Sequence, residues 1–147
     1  MYEIKTEIDI ESTSEQVWSI LTDFPAQSSW NPFIRSIEGP LQRGARLTVS
    51  IQPAGAKPMT FRPTVLVATP NVELRWLGHF LFRGVFDGEH YFQIARSTPG
   101  RVRFVQGEKF SGLLVSLAKA TLESGTRAGF IAMNQALKTR AEHALSQ

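Results

Sequence analysis

Residues 121–145 read TLESGTRAGFIAMNQALKTRAEHAL, and this segment decides the fold. Side chains suited to a buried face recur in it at spacings of three and four, which predicts a long amphipathic α-helix: Phe130, Met133, Asn134, Leu137, Ala141 and Ala144. Gly125 and Gly129 each cost about 1 kcal/mol relative to alanine inside a helix. They therefore indicate either close packing against the helix or a later helix start.

The chain before this helix is typical of β-strands. Segments rich in β-branched and aromatic residues are separated by short turns containing glycine or proline, so neighbouring strands are predicted to be antiparallel. The predicted strands are 2–10, 34–38, 45–52, 59–68, 71–78, 85–95 and 101–110. Pro63 lies inside one of them, which predicts an edge position or a bulge there.

Short helices are predicted on both sides of the strand region. Ser12 or Thr13 is suited to cap a helix that ends at Pro25, and a second short helix or ordered turn follows before Phe33. Residues 112–120 suit a further short apolar helix. Strands followed by a trailing helix predict one α+β domain over 1–147, in which a seven-stranded curved antiparallel sheet wraps around the long C-terminal helix.

Composition limits the function classes. The chain has 147 residues, a net charge of +3 and no cysteine. Disulfides and thiolate metal sites are excluded, and a cytoplasmic location is the simpler expectation. No signal peptide or integral membrane segment is evident. Basic residues are scattered among acidic ones, so we expect no nucleic-acid binding.

The predicted architecture implies a cavity. A large twisted antiparallel sheet curls, and one helix about 10 Å wide does not fill its concave face. The inward-facing positions mix large aromatic residues with small and polar ones, which favours a lined cavity over a dry, close-packed interior.

The hairpin around residues 97–100 predicts which side chains share that concave face. If residue 92 pairs with residue 104, one face of the hairpin collects a mixed set of aromatic and polar side chains: His90, Phe92, Ile94, Phe104, Gln106, Glu108 and Phe110. Leu74 and Trp76 join this face from the preceding strand. A slip of one residue would move all of them to the outside.

The polar members of this face are the candidate functional groups. His90 and Glu108 are suited to act as a general acid and base, to orient a ligand through a hydrogen bond, or only to satisfy each other or Gln106. The full set of expected ligand contacts combines the strand face with the helix stripe: Leu74, Trp76, His90, Phe92, Phe104, Gln106, Glu108, Phe110, Phe130, Met133, Asn134 and Leu137.

Other chemistries lack a sequence basis. Three histidines without metal-ligand spacing give no zinc site, and neither a hydrolase elbow nor a phosphate-binding glycine loop is found, so no cofactor is expected. Phe80-Leu81-Phe82 falls in a predicted turn. These residues form a hydrophobic lip over the cavity, contact a partner such as a second copy in a homodimer, or fold back onto the core.

Motifs along nearly the whole chain resemble one known family. They are Ser-Glu-Gln-Val-Trp (14–18), Leu-Thr-Asp-Phe (21–24), Trp-Asn-Pro-Phe (30–33), Gly-Glu-His-Tyr-Phe (88–92), Gly-Glu-Lys-Phe-Ser-Gly-Leu (107–113) and Gly-Phe-Ile-Ala-Met-Asn-Gln-Ala-Leu-Lys (129–138). Together they resemble the polyketide cyclase/dehydrase branch of the START-like (SRPBCC) superfamily. The resemblance implies the helix-grip fold and a hydrophobic cavity, without implying one activity.

Three functions therefore stay open. The first is a binder of a small hydrophobic or aromatic molecule that acts as a carrier, sensor or sequestering protein. The second is a cyclase or dehydratase that acts on a polyketide-like chain, with His90 or Glu108 transferring a proton. The third is a protein-interaction module of the chaperone-activator type.

Overall fold

The computed structural model describes residues 1–80 and 82–145. The strands are β1 (Tyr2–Ile10), β2 (Ile34–Glu38), β3 (Thr48–Ile51), β4 (Met59–Phe61), β5 (Thr64–Thr69), β6 (Glu73–Phe80), β7 (Phe86–Thr98) and β8 (Arg101–Ser111). The helices are α1 (Ser14–Thr22), α2 (Gln27–Trp30), α3 (Val115–Thr121) and α4 (Arg127–Leu145). A 3₁₀ turn at Phe24–Ala26 precedes α2, and a π-helical turn at Leu122–Thr126 joins α3 to α4.

The strands form two antiparallel sheets that meet at Pro63. One has the order β1-β8-β7-β6-β5 and the other β2-β3-β4. Residues 44–47 connect them by running alongside β5, where the Leu47 amide donates to the Pro63 carbonyl at 2.9 Å and the Val65 amide donates to Ala45 at 2.8 Å. The α+β class and the antiparallel curved sheet are confirmed.

The described residues contain eight strands where the sequence predicted seven. The predicted strand 59–68 is divided into β4 and β5 because Pro63 has no amide hydrogen to contribute to a ladder. The predicted strand 45–52 is shorter for a related reason, since its first residues leave β2 to pair beside β5. The proline therefore lets the smaller sheet turn away from the larger one.

The β7–β8 hairpin has a register two residues away from the predicted one. Phe92 pairs with Gln106, and His90 with Glu108, so the predicted pairing of 92 with 104 was wrong. A bulge at Ser97 and a tight turn at Pro99-Gly100 let β7 continue to Thr98, beyond its predicted end at 95, so the connection between the strands is shorter than expected. Side chains alternate with a period of two, so this even shift leaves each residue on its predicted face.

Helix α4 lies across the larger sheet and packs mainly on β1. The predicted stripe is confirmed at Phe130, Met133, Leu137 and Ala141, which are fully buried, whereas Ala144 is exposed. The predicted continuous helix is interrupted by the π-helical turn that contains Gly125. None of the described helices combines the length and hydropathy required to cross a bilayer.

Candidate functional site

A cavity of about 250 Å³ lies where the smaller sheet and the segment from α3 to α4 meet the larger sheet. Its walls come from both sheets and from the helical segment. The lining residues are Phe33, Ile51, Met59, Phe61, Phe80, Phe86, His90, Glu108, Phe110, Leu114, Leu122 and Thr126. His90 and Glu108 are the only ionisable side chains among these described residues.

Aromatic rings form most of the wall. Phe80 lies between Phe61 and Phe86, with ring centroids 5.3 and 5.6 Å apart, and Phe86 lies 5.8 Å from Phe110. Strand pairing explains this arrangement, because Phe80 and Phe86 are directly opposite each other on β6 and β7. Rings at these distances stabilise one another beyond their burial and hold the wall in a fixed shape.

Phe33 reaches the cavity because a buried amide holds the loop before β2. The Asn31 side-chain oxygen accepts hydrogen bonds from the Phe33 and Ile34 amides, both at 2.9 Å. On the other side, a Cβ atom on Gly129 of α4 would overlap with the Phe33 ring. Glycine at this position therefore allows the close approach of helix and ring, which is one of the two roles predicted for it.

The polar side of the cavity is the His90–Glu108 pair. The two residues are cross-strand neighbours, and His90 Nδ1 lies 3.1 Å from Glu108 Oε1. The His90 side chain is 4% exposed and that of Glu108 13%. Among the described residues Glu108 Oε2 has no hydrogen-bond partner, and it occupies the space above Gly88 that a Cβ atom would fill. The absence of a side chain at Gly88 therefore makes room for this carboxyl group.

A chain of buried polar side chains continues from His90 into the interior. His90 Nε2 lies 2.9 Å from Gln106 Oε1, and Gln106 Nε2 donates to Asn134 Oδ1 at 2.7 Å. Asn134 Nδ2 donates to the Thr6 hydroxyl at 2.8 Å, and that hydroxyl donates to the Gln106 backbone carbonyl at 2.9 Å. Every polar side-chain atom of Gln106 and Asn134 that is named here is thus satisfied inside the protein.

The structure divides the predicted ligand contacts into two groups. His90, Glu108 and Phe110 line the cavity. The remaining ones lie deeper, in the packed interior or in the polar chain: Leu74, Trp76, Phe92, Phe104, Gln106, Phe130, Met133, Asn134 and Leu137. Ligand contact stays a prediction for the residues of both groups, whereas the predicted clustering of His90, Gln106 and Glu108 is confirmed by their hydrogen bonds.

Sequence reasoning missed most of the cavity wall. Phe86 carried a usable signal, since it lies two and four residues before Gly88 and His90 and therefore shares their face of β7. Met59 and Phe61 carried none, because their approach depends on the turn at Pro63. In the predicted 80–82 lip, Phe80 folds back to line the cavity and Phe82 is 77% exposed, while Leu81 lies outside the described residues.

Comparisons with known proteins agree with this architecture. A family model described as polyketide cyclase / dehydrase and lipid transport matches residues 1–142. The chain is similar to the Zhui aromatase/cyclase from Streptomyces sp. R1128, with a TM-score of 0.80 and 14% identity over 98% of this chain and 95% of that one. No curated protein sequence matches the chain.

Other solved structures share the fold at low identity. A START superfamily protein from Mycobacterium smegmatis has a TM-score of 0.68 and 21% identity, with coverage of 98% and 99% of the two chains. A norcoclaurine synthase point mutant from Thalictrum flavum, solved in complex with a transition-state analogue, has a TM-score of 0.75 and 10% identity, with coverage of 97% and 95%. At these identities the structural similarity establishes the fold alone.

Proposed function

The chain belongs to the polyketide cyclase/dehydrase and lipid transport family, and on this premise we propose that it binds a small aromatic or otherwise hydrophobic molecule in its cavity. The observation that carries the proposal is the composition of the cavity wall. Phenylalanine rings from both sheets line it together with one ionisable pair, His90 and Glu108. An apolar pocket with a few converging polar groups is typical of small-molecule sites, in which apolar burial supplies affinity and the polar groups fix orientation.

The size of the cavity indicates the size of the ligand. An apolar cavity of about 150 Å³ in an engineered protein holds one benzene molecule. A cavity of about 250 Å³ therefore has room for one or two fused rings. Burying roughly 200 Å² of apolar ligand surface contributes about 5 kcal/mol before the costs of association are subtracted. Taken alone, this gain corresponds to a dissociation constant on the order of 10⁻⁴ M, which is therefore the tightest binding that apolar burial gives a simple bicyclic probe.

A carrier, a sensor and a sequestering protein share this binding step. They differ in whether the bound ligand is delivered, detected or retained. The binding step that they share is testable by itself. Native mass spectrometry of freshly purified protein should detect a bound compound of one or two rings or a longer hydrophobic molecule that enters the cavity in part.

A blocked cavity provides the matched test. Leu114 lines the cavity and is 38% exposed, whereas Leu117 is 82% exposed and does not line it. We expect Leu114→Trp to place a ring in the cavity and to weaken binding of 2-naphthol, measured by isothermal titration calorimetry, at least tenfold. Leu117→Trp should bind 2-naphthol as the wild type does. Equal binding by both variants would locate the probe elsewhere and remove the support for this site.

An enzymatic role is the second candidate, and one observation favours it. Glu108 lines the cavity and its Oε2 has no protein partner among the described residues, so this carboxyl group is available to accept a proton from a bound substrate while His90 contacts the other carboxyl oxygen. Such a step suits a cyclase or dehydratase acting on a polyketide-like chain. Glu108→Gln should then retain affinity for a poly-β-ketone thioester and lose its turnover. If Glu108→Gln loses affinity and the wild type shows no turnover, only the binding function is left.

A further inference from the structure

We infer that Thr6 determines which ring nitrogen of His90 carries a hydrogen atom, acting through two buried amide side chains. As a consequence, the His90–Glu108 pair at the cavity is electrically neutral, and its second carboxyl oxygen, Glu108 Oε2, accepts a hydrogen bond. The preferred ligand is then an uncharged molecule with a hydroxyl group, such as a phenol. The ligand part of this inference rests on the proposed function, whereas the part about His90 does not.

The chain of buried hydrogen bonds begins at a backbone carbonyl. The Thr6 hydroxyl lies 2.9 Å from the carbonyl oxygen of Gln106, and a carbonyl oxygen can only accept. The single hydroxyl hydrogen is therefore used in this bond. Any other group that contacts the Thr6 oxygen must donate to it, so the Asn134 atom 2.8 Å away is the amide nitrogen Nδ2.

The orientation of Asn134 fixes the orientation of Gln106. With Nδ2 directed at Thr6, the Asn134 oxygen Oδ1 faces Gln106 and accepts from its amide nitrogen at 2.7 Å. The Gln106 side-chain oxygen then faces His90 Nε2 at 2.9 Å. Because an amide oxygen carries no hydrogen, Nε2 of His90 must be the donor.

The fixed hydrogen on Nε2 limits the states of the pair. His90 Nδ1 and Glu108 Oε1 are 3.1 Å apart, so one hydrogen must lie between them. Either the carboxyl group is protonated and donates to a neutral imidazole, or an imidazolium donates to a carboxylate. Both states have a net charge of zero. A neutral imidazole beside a carboxylate would place two acceptors face to face, which leaves a buried acceptor unsatisfied.

The surroundings of His90 supply no further charge. Its ring packs against Trp76 from β6, Phe92 from its own strand and Phe130 from α4. The cavity lining contributes no ionisable side chain other than the pair itself among the described residues. The protonation of the pair is therefore set by the buried amides and not by a neighbouring ion.

The free oxygen atom of the pair, Glu108 Oε2, determines which ligand group is preferred. In both permitted states the shared hydrogen lies between His90 Nδ1 and Glu108 Oε1, so Oε2 of this cavity-lining carboxyl group is left to accept a hydrogen bond. A ligand hydroxyl can donate to it. A cationic amine would meet a neutral pair and lose its hydration without a compensating negative charge. If the amides were reversed, Nε2 would be bare, Nδ1 would donate to a carboxylate, and the pair would have a charge of −1.

Nitrogen-15 NMR of the histidine rings tests the first part without a ligand. In the wild type we expect hydrogen on Nε2 of His90 at every pH at which the protein is folded; a bare Nε2 would overturn the inference. Thr6→Val removes the hydroxyl and keeps the side-chain shape, so the form with hydrogen only on Nδ1 should appear. Thr6→Ser should keep the wild-type pattern. A Thr6→Val spectrum identical to the wild type would overturn the role of Thr6, and if this variant does not fold, Thr6→Ala takes its place with the same expected and contradicting results.

Two probes that share a naphthalene ring test the ligand part. We expect wild-type protein to bind 2-naphthol at least tenfold more tightly than the ammonium form of 2-naphthylmethylamine. Thr6→Val should reduce this ratio at least threefold, because a pair with a charge of −1 attracts the ammonium group. If neither probe binds the wild type, the proposed function fails while the NMR result stands. If both bind equally and the ratio does not change in Thr6→Val, the ligand preference fails while the binding site stands.

Discussion

Gly88→Ala should detach Glu108 from His90 without disturbing the strand that carries the substitution. Gly88 lies in β7 and is not in the left-handed region, so its backbone accommodates alanine. The added Cβ atom would overlap with Glu108 Oε2. The carboxyl group must therefore move, and the 3.1 Å contact with His90 Nδ1 is lost.

The size of the effect follows from two opposing contributions. A buried nitrogen without its partner costs about 1–3 kcal/mol. Replacing glycine by alanine stabilises by about 0.4–1 kcal/mol, because the unfolded chain loses freedom. We expect a net loss of about 1–2 kcal/mol in the free energy of unfolding. Affinity for 2-naphthol should fall about tenfold, which corresponds to the loss of one hydrogen bond worth about 1.4 kcal/mol.

Gly125→Ala is the matched control. Gly125 is also buried and outside the left-handed region, but an added Cβ atom would meet only ordinary contacts with Pro53 and Ala54 at 3.6 and 3.5 Å. Urea unfolding should show this variant unchanged or slightly more stable, with wild-type affinity for 2-naphthol. If Gly88→Ala behaves like Gly125→Ala in both measurements, the Glu108 carboxyl group does not occupy the space above Gly88 beside His90.

Three further substitutions test the packing of α4, the cavity wall and a charged cluster on β6. Gly129→Ala should lower stability by about 1–3 kcal/mol in urea unfolding, because the new Cβ atom overlaps with the Phe33 ring; an unchanged midpoint would contradict the close packing of α4. Phe61→Ala should enlarge the cavity and favour larger probes, so a calorimetric preference for a tricyclic phenol over 2-naphthol is expected, and an unaltered preference would remove Phe61 from the wall. Burial opposes ionisation of Glu73, but hydrogen bonds from Arg75 and Gln93 outweigh it and lower the pKa of this carboxyl below its ordinary value of 4.5. Glu73→Gln should therefore cost about 0.5–1 kcal/mol at neutral pH, and this difference should vanish as the pH falls below 4.5 through the lowered pKa; a difference that persists at lower pH would contradict it.

Local patterns predicted those parts of the fold that depend on neighbouring residues. The alternation in 2–10 predicted β1, and the spacing of apolar residues predicted the buried face of α4. The position of each residue on its strand face also followed from the sequence, even though the β7–β8 register was off by two residues. The register depends on a bulge at Ser97, and no residue type there requires one.

The candidate site was predictable where it lies within one hairpin. His90, Gln106 and Glu108 share a face of β7–β8, so their proximity followed from strand pairing alone. The contribution of Thr6 did not, because it depends on how β1 and α4 approach each other over long sequence separations. The parts of the wall formed by Met59 and Leu122 could not be predicted either. The orientation of Met59 depends on the turn at Pro63, and that of Leu122 depends on the π-helical turn.

Methyl NMR during titration with 2-naphthol tests the central claim most directly. The cavity wall contains methyl groups of Ile51, Met59, Leu114, Leu122 and Thr126, whereas Leu113 and Leu117 lie on the surface. Binding in the cavity predicts saturable shifts at the wall methyl groups and none at the surface pair. Shifts confined to the surface leucines, or no saturable shift at all, would contradict the account.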